Sequence, residues 1–189
     1  MKRYYLAIEG IDGSGKTTTI NYIREKYYTQ VDIYQRTFKP DWIKPLMNSK
    51  AFKRSHAIQI VVYLYLAHYN YWAFQKKDNG RRIVIMDRCF LSNICYFFPS
   101  ALDSGILRQI LLIIEPRIIP DKIFILDVDP EVAWRRDNCS KDLDWLRETR
   151  KCYKKSGKLK EFAIDIISPM SEIDGAYLYI SKSIEDLLH

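Results

Sequence analysis

Short apolar runs alternate along this chain with longer segments in which apolar residues recur at a helical period. The apolar runs predict strands at 4–8, 31–36, 83–86, 123–128 and 176–180. Because these runs are apolar on both faces of a strand, they favour a parallel sheet that is covered on both sides. The pattern therefore predicts an α/β fold, with a five-stranded parallel sheet flanked by helices.

The segments of helical period lie between and after the apolar runs. They predict helices at 15–28, 55–77, 91–97, 104–114, 130–136, 142–155 and 183–188. In a sheet of this kind, ligands bind at the carboxyl ends of the strands. We therefore expect the loops after Ile8, Arg36, Met86 and Val128 to face one cleft.

The first predicted strand is followed by a glycine-rich loop that suits a phosphate group. Residues 10–17 read Gly-Ile-Asp-Gly-Ser-Gly-Lys-Thr, which is the pattern GxxxxGK[ST] between a strand and a helix. Backbone N–H groups of such a loop surround phosphate oxygens, Lys16 adds a full charge, and the Thr17 hydroxyl suits Mg²⁺. We predict binding of ATP by Gly10, Gly13, Ser14, Gly15, Lys16, Thr17 and Thr18.

A charged pair ends the third apolar run. Asp87 stands where nucleotide-hydrolysing enzymes hold a metal ion, directly or through water. The guanidinium of Arg88 matches two phosphoryl oxygens at once. An ion pair without a ligand is the alternative interpretation.

Composition narrows the class of ligand. The 189 residues suit one domain, and 30 Lys and Arg against 23 Asp and Glu give a net charge of +7. This excess suits a ligand with several phosphates. Nucleic acid is the weaker alternative, because the basic residues are spread along the chain and no nucleic-acid-binding motif accompanies them.

The four cysteines lack the spacing of a zinc site or a redox pair, so we expect free thiols. Glu9 interrupts the first apolar run too early for a secretory leader. The most apolar stretch, 58–67, is about half the ~20 residues that span a bilayer. These features predict a cytoplasmic protein.

Three segments together resemble the thymidylate kinases. They are the loop at 8–18, the pair Asp87-Arg88 with Ser92 and Tyr96, and the run 120–128, and the resemblance extends to about Arg136. It implies a P-loop nucleotide kinase fold with a short lid at about 135–143. It also implies transfer of the γ-phosphate of ATP to dTMP with Mg²⁺, in a cytoplasmic homodimer.

The same resemblance implies roles for individual residues. Asp12 would bind the 3'-hydroxyl of the acceptor sugar, Asp87 would share the metal with Thr17, and Arg88 would contact the acceptor phosphate and the transferring group. Ser92 and Tyr96 would line the acceptor pocket, although such residues also cap helices and fill cores. The implied catalytic residues are Lys16, Asp87, Arg88 and Arg136.

The chain departs from the family in the acceptor pocket. Phe38 stands where the family usually has an arginine, and Lys39 is one of the nearest cations. Tyr65 and Tyr69 stand where the family combines a stacking phenylalanine with an arginine. A tyrosine hydroxyl cannot replace a two-pronged charged donor, so we expect weaker discrimination between bases. The predicted acceptor-binding residues are Asp12, Phe38, Lys39, Tyr65, Tyr69, Arg88, Ser92 and Tyr96.

The lid offers the remaining cations. Some family members carry a catalytic arginine at the position of Gly13, and others carry it in the lid. Because a glycine stands at position 13 here, we expect the lid to supply the catalytic cation. Arg135 and Arg136 are predicted to bind ATP, and Arg136 is the predicted catalytic cation. The alternative for Arg136 is a solvated arginine that interacts with a helix dipole.

Three other functions stay open at this point: a kinase of another pyrimidine monophosphate, a deoxynucleoside kinase and a catalytically weak regulatory protein that binds a nucleoside triphosphate. A deoxynucleoside kinase needs a general base, for which Glu9 and Asp12 are candidates, and a regulatory protein would bind ATP without turnover. Arg88 and Lys39 favour an acceptor that carries phosphate. Segment 55–77 is apolar over more than one face, which suits either a dimer interface or a buried helix.

Overall fold

The computed structural model describes residues 2–35, 43, 45–46, 49–51, 55–77, 80–97, 119–168 and 174–189. Within these residues, five strands form one sheet in the spatial order β2-β3-β1-β4-β5, and every neighbouring pair is parallel. The strands are β1 (Tyr4–Glu9), β2 (Val31–Gln35), β3 (Ile83–Asp87), β4 (Lys122–Leu126) and β5 (Ile164–Ile167). The predicted fold class is confirmed.

Six helices of seven or more residues accompany the sheet in the described ranges. They are α1 (Lys16–Lys26), α2 (His56–Lys77), α3 (Phe90–Phe97), α4 (Pro130–Arg136), α5 (Leu143–Ser156) and α6 (Asp174–Leu188). Their bounds agree with the predicted segments within a few residues, except at the last helix, which begins earlier than predicted. The predicted helix 104–114 lies outside the described residues.

The prediction of a strand at 176–180 is wrong, because this segment belongs to α6. Ile180 and Ile184 are buried one helical turn apart, whereas Leu178 is 61% exposed, so the apolar residues follow a helical period. A run of five apolar residues does not distinguish a strand from a helix. The fifth strand is β5, in which the polar Asp165 interrupts the apolar run and no residue is fully buried.

The two faces of the sheet bury different sets of helices. Leu6 and Ile8 face α1 and α6, and Ala7 points to the opposite face, which α2, α3 and α5 cover. Helices therefore cover both faces of the sheet, as the apolar runs predicted. None of the helices in the described ranges is long and apolar enough to cross a membrane.

The strand register brings three polar residues to one edge of the sheet. Asp87 is the register partner of both Ile8 and Gln35, so β1, β2 and β3 reach their carboxyl ends at the same level. Glu9 follows at the end of β1, next to Ile125 of β4. The loop that leads from β1 into α1 starts from this edge.

Candidate active site

The loop between β1 and α1 wraps tightly over the edge of the sheet. Gly10 has a φ of +143°, and a Cβ at this position would lie 2.7 Å from Ser14 Oγ and 2.8 Å from the carbonyl oxygen of Leu126. A glycine is therefore required where the loop passes β4. The loop ends at Lys16, the first residue of α1.

Lys16 is buried inside this loop. Its Nζ donates hydrogen bonds to the carbonyl oxygens of Gly10 at 3.0 Å and Ile11 at 2.8 Å, and to Ser14 Oγ at 3.3 Å. Burial, followed by the charge of Arg88, lowers the pKa of Lys16 to about 7. An anion bound beside Nζ would raise this pKa again, so the loop gains charge when it binds phosphate.

A second cluster faces the loop from the start of α3. Arg88 Nη2 lies 2.5 Å from Asp12 Oδ1, and Arg88 Nη1 donates to the Tyr96 hydroxyl at 3.1 Å. That hydroxyl donates to the same Asp12 oxygen at 3.0 Å. Burial opposes ionisation of Asp12, but the charges of Arg88 and Lys16 outweigh it and hold the pKa of Asp12 below its usual value. Asp12 is thus an ionised partner of Arg88.

One cavity of about 640 Å³ connects the loop with Arg88. It is lined by Asp12, Gly13, Gly15, Lys16, Thr17, Thr18, Gln35, Asp87, Arg88, Arg136 and Asp137. The structure therefore brings together most residues predicted to bind ATP with two residues predicted to bind the acceptor. Gln35 and Asp137 were not predicted as site residues. Gln35 lies near the carboxyl end of the predicted strand 31–36, and Asp137 directly follows the arginine pair, so both positions could have indicated a role at the site.

Other predicted residues lie elsewhere. Tyr65 and Tyr69 are partly exposed on α2, stacked on each other with ring centroids 6.2 Å apart, and neither lines the cavity. Arg135 is exposed, and its Nε donates to the Glu131 carbonyl oxygen. Phe38 and Lys39 lie outside the described residues.

Ser92 and Tyr96 support Arg88 from α3. Ser92 is fully buried, and its Oγ accepts from Arg88 Nη1 at 3.2 Å. The Arg88 guanidinium carbon lies 5.1 Å from the centre of the Tyr96 ring. Both residues therefore hold Arg88 in place in this structure.

Thr17 and Asp87 are the residues that could hold a metal ion, because both line the cavity. In the described ranges no three His, Cys, Asp or Glu side chains form a metal-binding group. Mg²⁺ bound with phosphates needs only one or two protein oxygens, so this pair fits it. Burial raises the pKa of Asp87 despite the nearby Arg88 and Lys16.

Helix α4, which leads into the predicted lid at about 135–143, packs directly on the loop between β1 and α1. Gly13 has a φ of +78°, and a Cβ there would lie 2.1 Å from the carbonyl oxygen of Ala133 in α4. No side chain fits at position 13 in this arrangement, which agrees with the absence of an arginine there. Arg136, the last residue of α4, lines the cavity three residues later.

Comparisons with known proteins agree on the family. The family model described as thymidylate kinase matches residues 8–176. A probable thymidylate kinase of Archaeoglobus fulgidus is 28% identical over 97% of this chain and 96% of its own length. The thymidylate kinase of Carboxydothermus hydrogenoformans is 30% identical over 79% of this chain and 78% of its own length.

Two solved structures share the fold. A deoxyadenosine kinase from M. mycoides with bound dATP superimposes with a TM-score of 0.70 at 15% identity, covering 96% of this chain and 99% of that one. A thymidylate kinase from Ehrlichia chaffeensis gives 0.64 at 21% identity, covering 97% and 100%. At these identities the structures speak for the fold alone. The family model, which spans most of the chain, goes further: this chain belongs to the thymidylate kinase family.

Proposed function

We propose that this protein transfers the γ-phosphoryl group of ATP to dTMP, which yields ADP and dTDP. The observation that carries the proposal is the single cavity that Lys16 of the phosphate loop and the ion pair Arg88–Asp12 line together. A nucleotide donor on the loop and a phosphorylated acceptor at Arg88 would meet in this cavity. Positioning two anionic substrates in line is the main requirement of phosphoryl transfer.

The residues supply position and positive charge and do not form a covalent intermediate. Lys16 would hold the phosphates of ATP, Arg88 the acceptor phosphate, and Arg136 the group in transfer, where negative charge spreads. An oxygen of the acceptor phosphate is the nucleophile. Thr17 and Asp87 would hold Mg²⁺, which supplies further positive charge to the phosphate oxygens when bound. The lid would exclude water, which otherwise competes for the phosphoryl group.

The carboxylates near Arg88 favour a monophosphate acceptor over a nucleoside. A nucleoside kinase needs a general base for the 5'-hydroxyl. Glu9 is fully buried and accepts hydrogen bonds from four donors, and Asp12 is ion-paired with Arg88, which lowers its pKa. Glu9 is therefore occupied by donors and does not line the cavity, and Asp12 is a poor proton acceptor. An acceptor that already carries phosphate needs no such base and finds Arg88 ready to bind it.

We further infer that the protein forms a homodimer through α2. Val61 and Trp72 are 65% and 63% exposed, and Tyr65 and Tyr69 lie between them at helical spacing. Large apolar side chains in one exposed stripe indicate an interaction surface. The opposite face of α2, which includes Tyr63 and Leu66, is buried in the protein core.

A panel of acceptors tests the proposed function. With ATP and Mg²⁺ present, ADP release and the phosphorylated product are measured for thymidine, dTMP, dUMP and dCMP. We expect turnover of pyrimidine monophosphates, with dTMP preferred and thymidine inert. Turnover of thymidine would identify a deoxynucleoside kinase, and ATP binding without turnover of any acceptor would indicate a regulatory protein.

A further inference from the structure

We propose that Glu9 is a positioning residue that fixes Arg88 for the acceptor phosphate, and that Tyr153 ties this arrangement to α5. The proposal rests on the proposed function, because it assigns Arg88 to the acceptor. Neither Glu9 nor Tyr153 lines the cavity in the described structure, so both would act through Arg88.

Glu9 accepts hydrogen bonds from two other parts of the chain. Its Oε1 accepts from the backbone N–H of Cys89 at 2.7 Å and of Ser92 at 3.1 Å. Its Oε2 accepts from the Ser92 hydroxyl at 2.6 Å and from the Tyr153 hydroxyl at 2.9 Å. Glu9 ends β1, Cys89 directly precedes α3, Ser92 lies in the first turn of α3, and Tyr153 lies in α5. A fully buried carboxylate thus joins three elements, with donors at both of its oxygens.

The end of β1 holds the backbone at Arg88 and directly after it. Arg88 has a φ of +74°, a left-handed conformation that a residue with a Cβ adopts only at a cost. Its own N–H donates to the Ile8 carbonyl oxygen at 3.1 Å, and the next N–H, of Cys89, donates to Glu9. Ile8 and Glu9, at the end of β1, therefore supply hydrogen-bond acceptors for the backbone N–H of Arg88 and for that of the next residue. Without the Glu9 carboxylate, the second of these two bonds is lost.

The same carboxylate orients the side chain of Arg88 through Ser92. Because the Ser92 hydroxyl donates to Glu9, a lone pair of its oxygen is left for Arg88 Nη1, which lies 3.2 Å away. The other guanidinium nitrogen, Nη2, reaches Asp12. Arg88 is thereby held from behind by Ser92 and from the cavity side by Asp12, and the acceptor phosphate meets a guanidinium in a fixed position.

Tyr153 extends the arrangement to the helix that follows the lid. Its side chain is buried, and its ring lies against that of Tyr96, with centroids 6.4 Å apart. The ring of Trp145, in the first turn of the same helix, also packs against the Tyr96 ring, with centroids 5.0 Å apart. A displacement of α5 would therefore change the contacts of both the Glu9 carboxylate and Tyr96, which lies beside Arg88.

The test compares three conservative variants. Tyr153→Phe removes one hydroxyl and keeps the ring, and Glu9→Gln keeps the shape of the side chain but removes its charge. Tyr27→Phe is the matched control: its hydroxyl is also in a buried residue and bonds Glu185 at 2.7 Å, on the opposite face of the sheet. The dissociation constants for dTMP and for ATP are measured separately by calorimetry.

We expect Tyr153→Phe to weaken dTMP binding about tenfold, as for the loss of one buried hydrogen bond, and Glu9→Gln to weaken it further. ATP binding should change less than about twofold in both, and Tyr27→Phe should change neither constant. A parallel loss of ATP and dTMP binding would show a general loss of structure and overturn the proposal. If Glu9→Gln does not fold, Tyr153→Phe decides.

A second measurement is independent of which acceptor is used. The ¹⁵N-labelled guanidinium of Arg88 should show restricted rotation by NMR in the wild type and in Tyr27→Phe, and faster rotation in Tyr153→Phe and Glu9→Gln. An Arg88 signal that is unchanged in both variants would overturn the positioning role. Failure of the proposed function has a different signature: the wild type would turn over no monophosphate, while the Arg88 signal would still respond to Tyr153→Phe.

Discussion

The two halves of the cavity are built in different ways. The half that we assign to ATP is formed by the backbone of the loop 10–17 and by Lys16, which are close together in the sequence. The half that we assign to the acceptor combines Asp12 of that loop with Arg88 and Tyr96, which are up to 84 residues away, and has Glu9 and Tyr153 behind them. The first half is a local structure, whereas the second exists only after the sheet and three helices have packed.

Because of this difference, substitutions in the two halves should have different effects. A change at Lys16 is expected to remove a group that touches ATP and to leave the remaining structure in place. A change behind Arg88 is expected to alter the acceptor site without touching either substrate. The donor and acceptor affinities should therefore respond to separate sets of variants, and the following predictions test that separation.

The largest effect is expected from Lys16→Ala. The variant loses the cation that the loop surrounds, so turnover should fall about 10³-fold while the fold is retained. Lys26→Ala is the control, because Lys26 lies on the same helix and pairs with Glu185 away from the cavity. Steady-state kinetics and thermal unfolding are measured for both. Wild-type turnover in Lys16→Ala would contradict the assignment of the loop.

Arg136→Ala should lower kcat about 10²-fold with little change in ATP affinity, because a lid cation acts mainly on charge in the transition state. Its neighbour provides the control, since Arg135 is exposed and bonds to the Glu131 carbonyl oxygen. If Arg135→Ala shows the larger loss in kcat, the catalytic cation is Arg135. If neither variant is impaired, the lid supplies no catalytic arginine.

Asp12→Asn sharpens the acceptor side of the comparison. The carboxylate is proposed to bind the 3'-hydroxyl of the acceptor, and a hydrogen bond to a charged group is typically worth about 1.5–3 kcal/mol. The wild type should thus prefer dTMP over 3'-deoxy-dTMP by a factor of about 10 to 100, and Asp12→Asn should lose that preference while ATP affinity is retained. Competition binding measures all three ligands. A collapse of ATP affinity alone would assign Asp12 to the donor half.

The smallest effect concerns protons. Burial lowers the pKa of Lys16 to about 7, so the free protein loses this proton above that pH. Phosphates beside Nζ raise the pKa, so ATP binding at pH 8 should take up a proton, and ATP affinity should fall by up to about tenfold per pH unit above pH 7. Calorimetry in buffers with different ionisation enthalpies measures the uptake. Lys16→Met should abolish it, and an equal uptake in that variant would assign the proton to another group.

The sequence predicts the local half better than the assembled half, for physical reasons. The loop and Asp87 could be located because glycine spacing and the ends of apolar runs are properties of neighbouring residues. Tyr65 and Tyr69 were predicted for the pocket from the family resemblance, which does not tell which face of α2 meets the sheet, and here they lie on the partly exposed face. The partners of Glu9 could not be inferred at all, since Tyr153 is 144 residues away.

The contact between Gly13 and Ala133 restricts how this enzyme can change over evolution. A family member with its catalytic arginine in the phosphate loop needs room for a side chain at position 13, and here a helix carbonyl oxygen occupies that room. A single substitution that adds the arginine would displace α4, and with it Arg136, before the new cation could act. The two solutions to catalysis therefore exclude each other in this chain. A lineage could exchange an arginine in the lid for one at position 13 only after α4 had moved away from the loop.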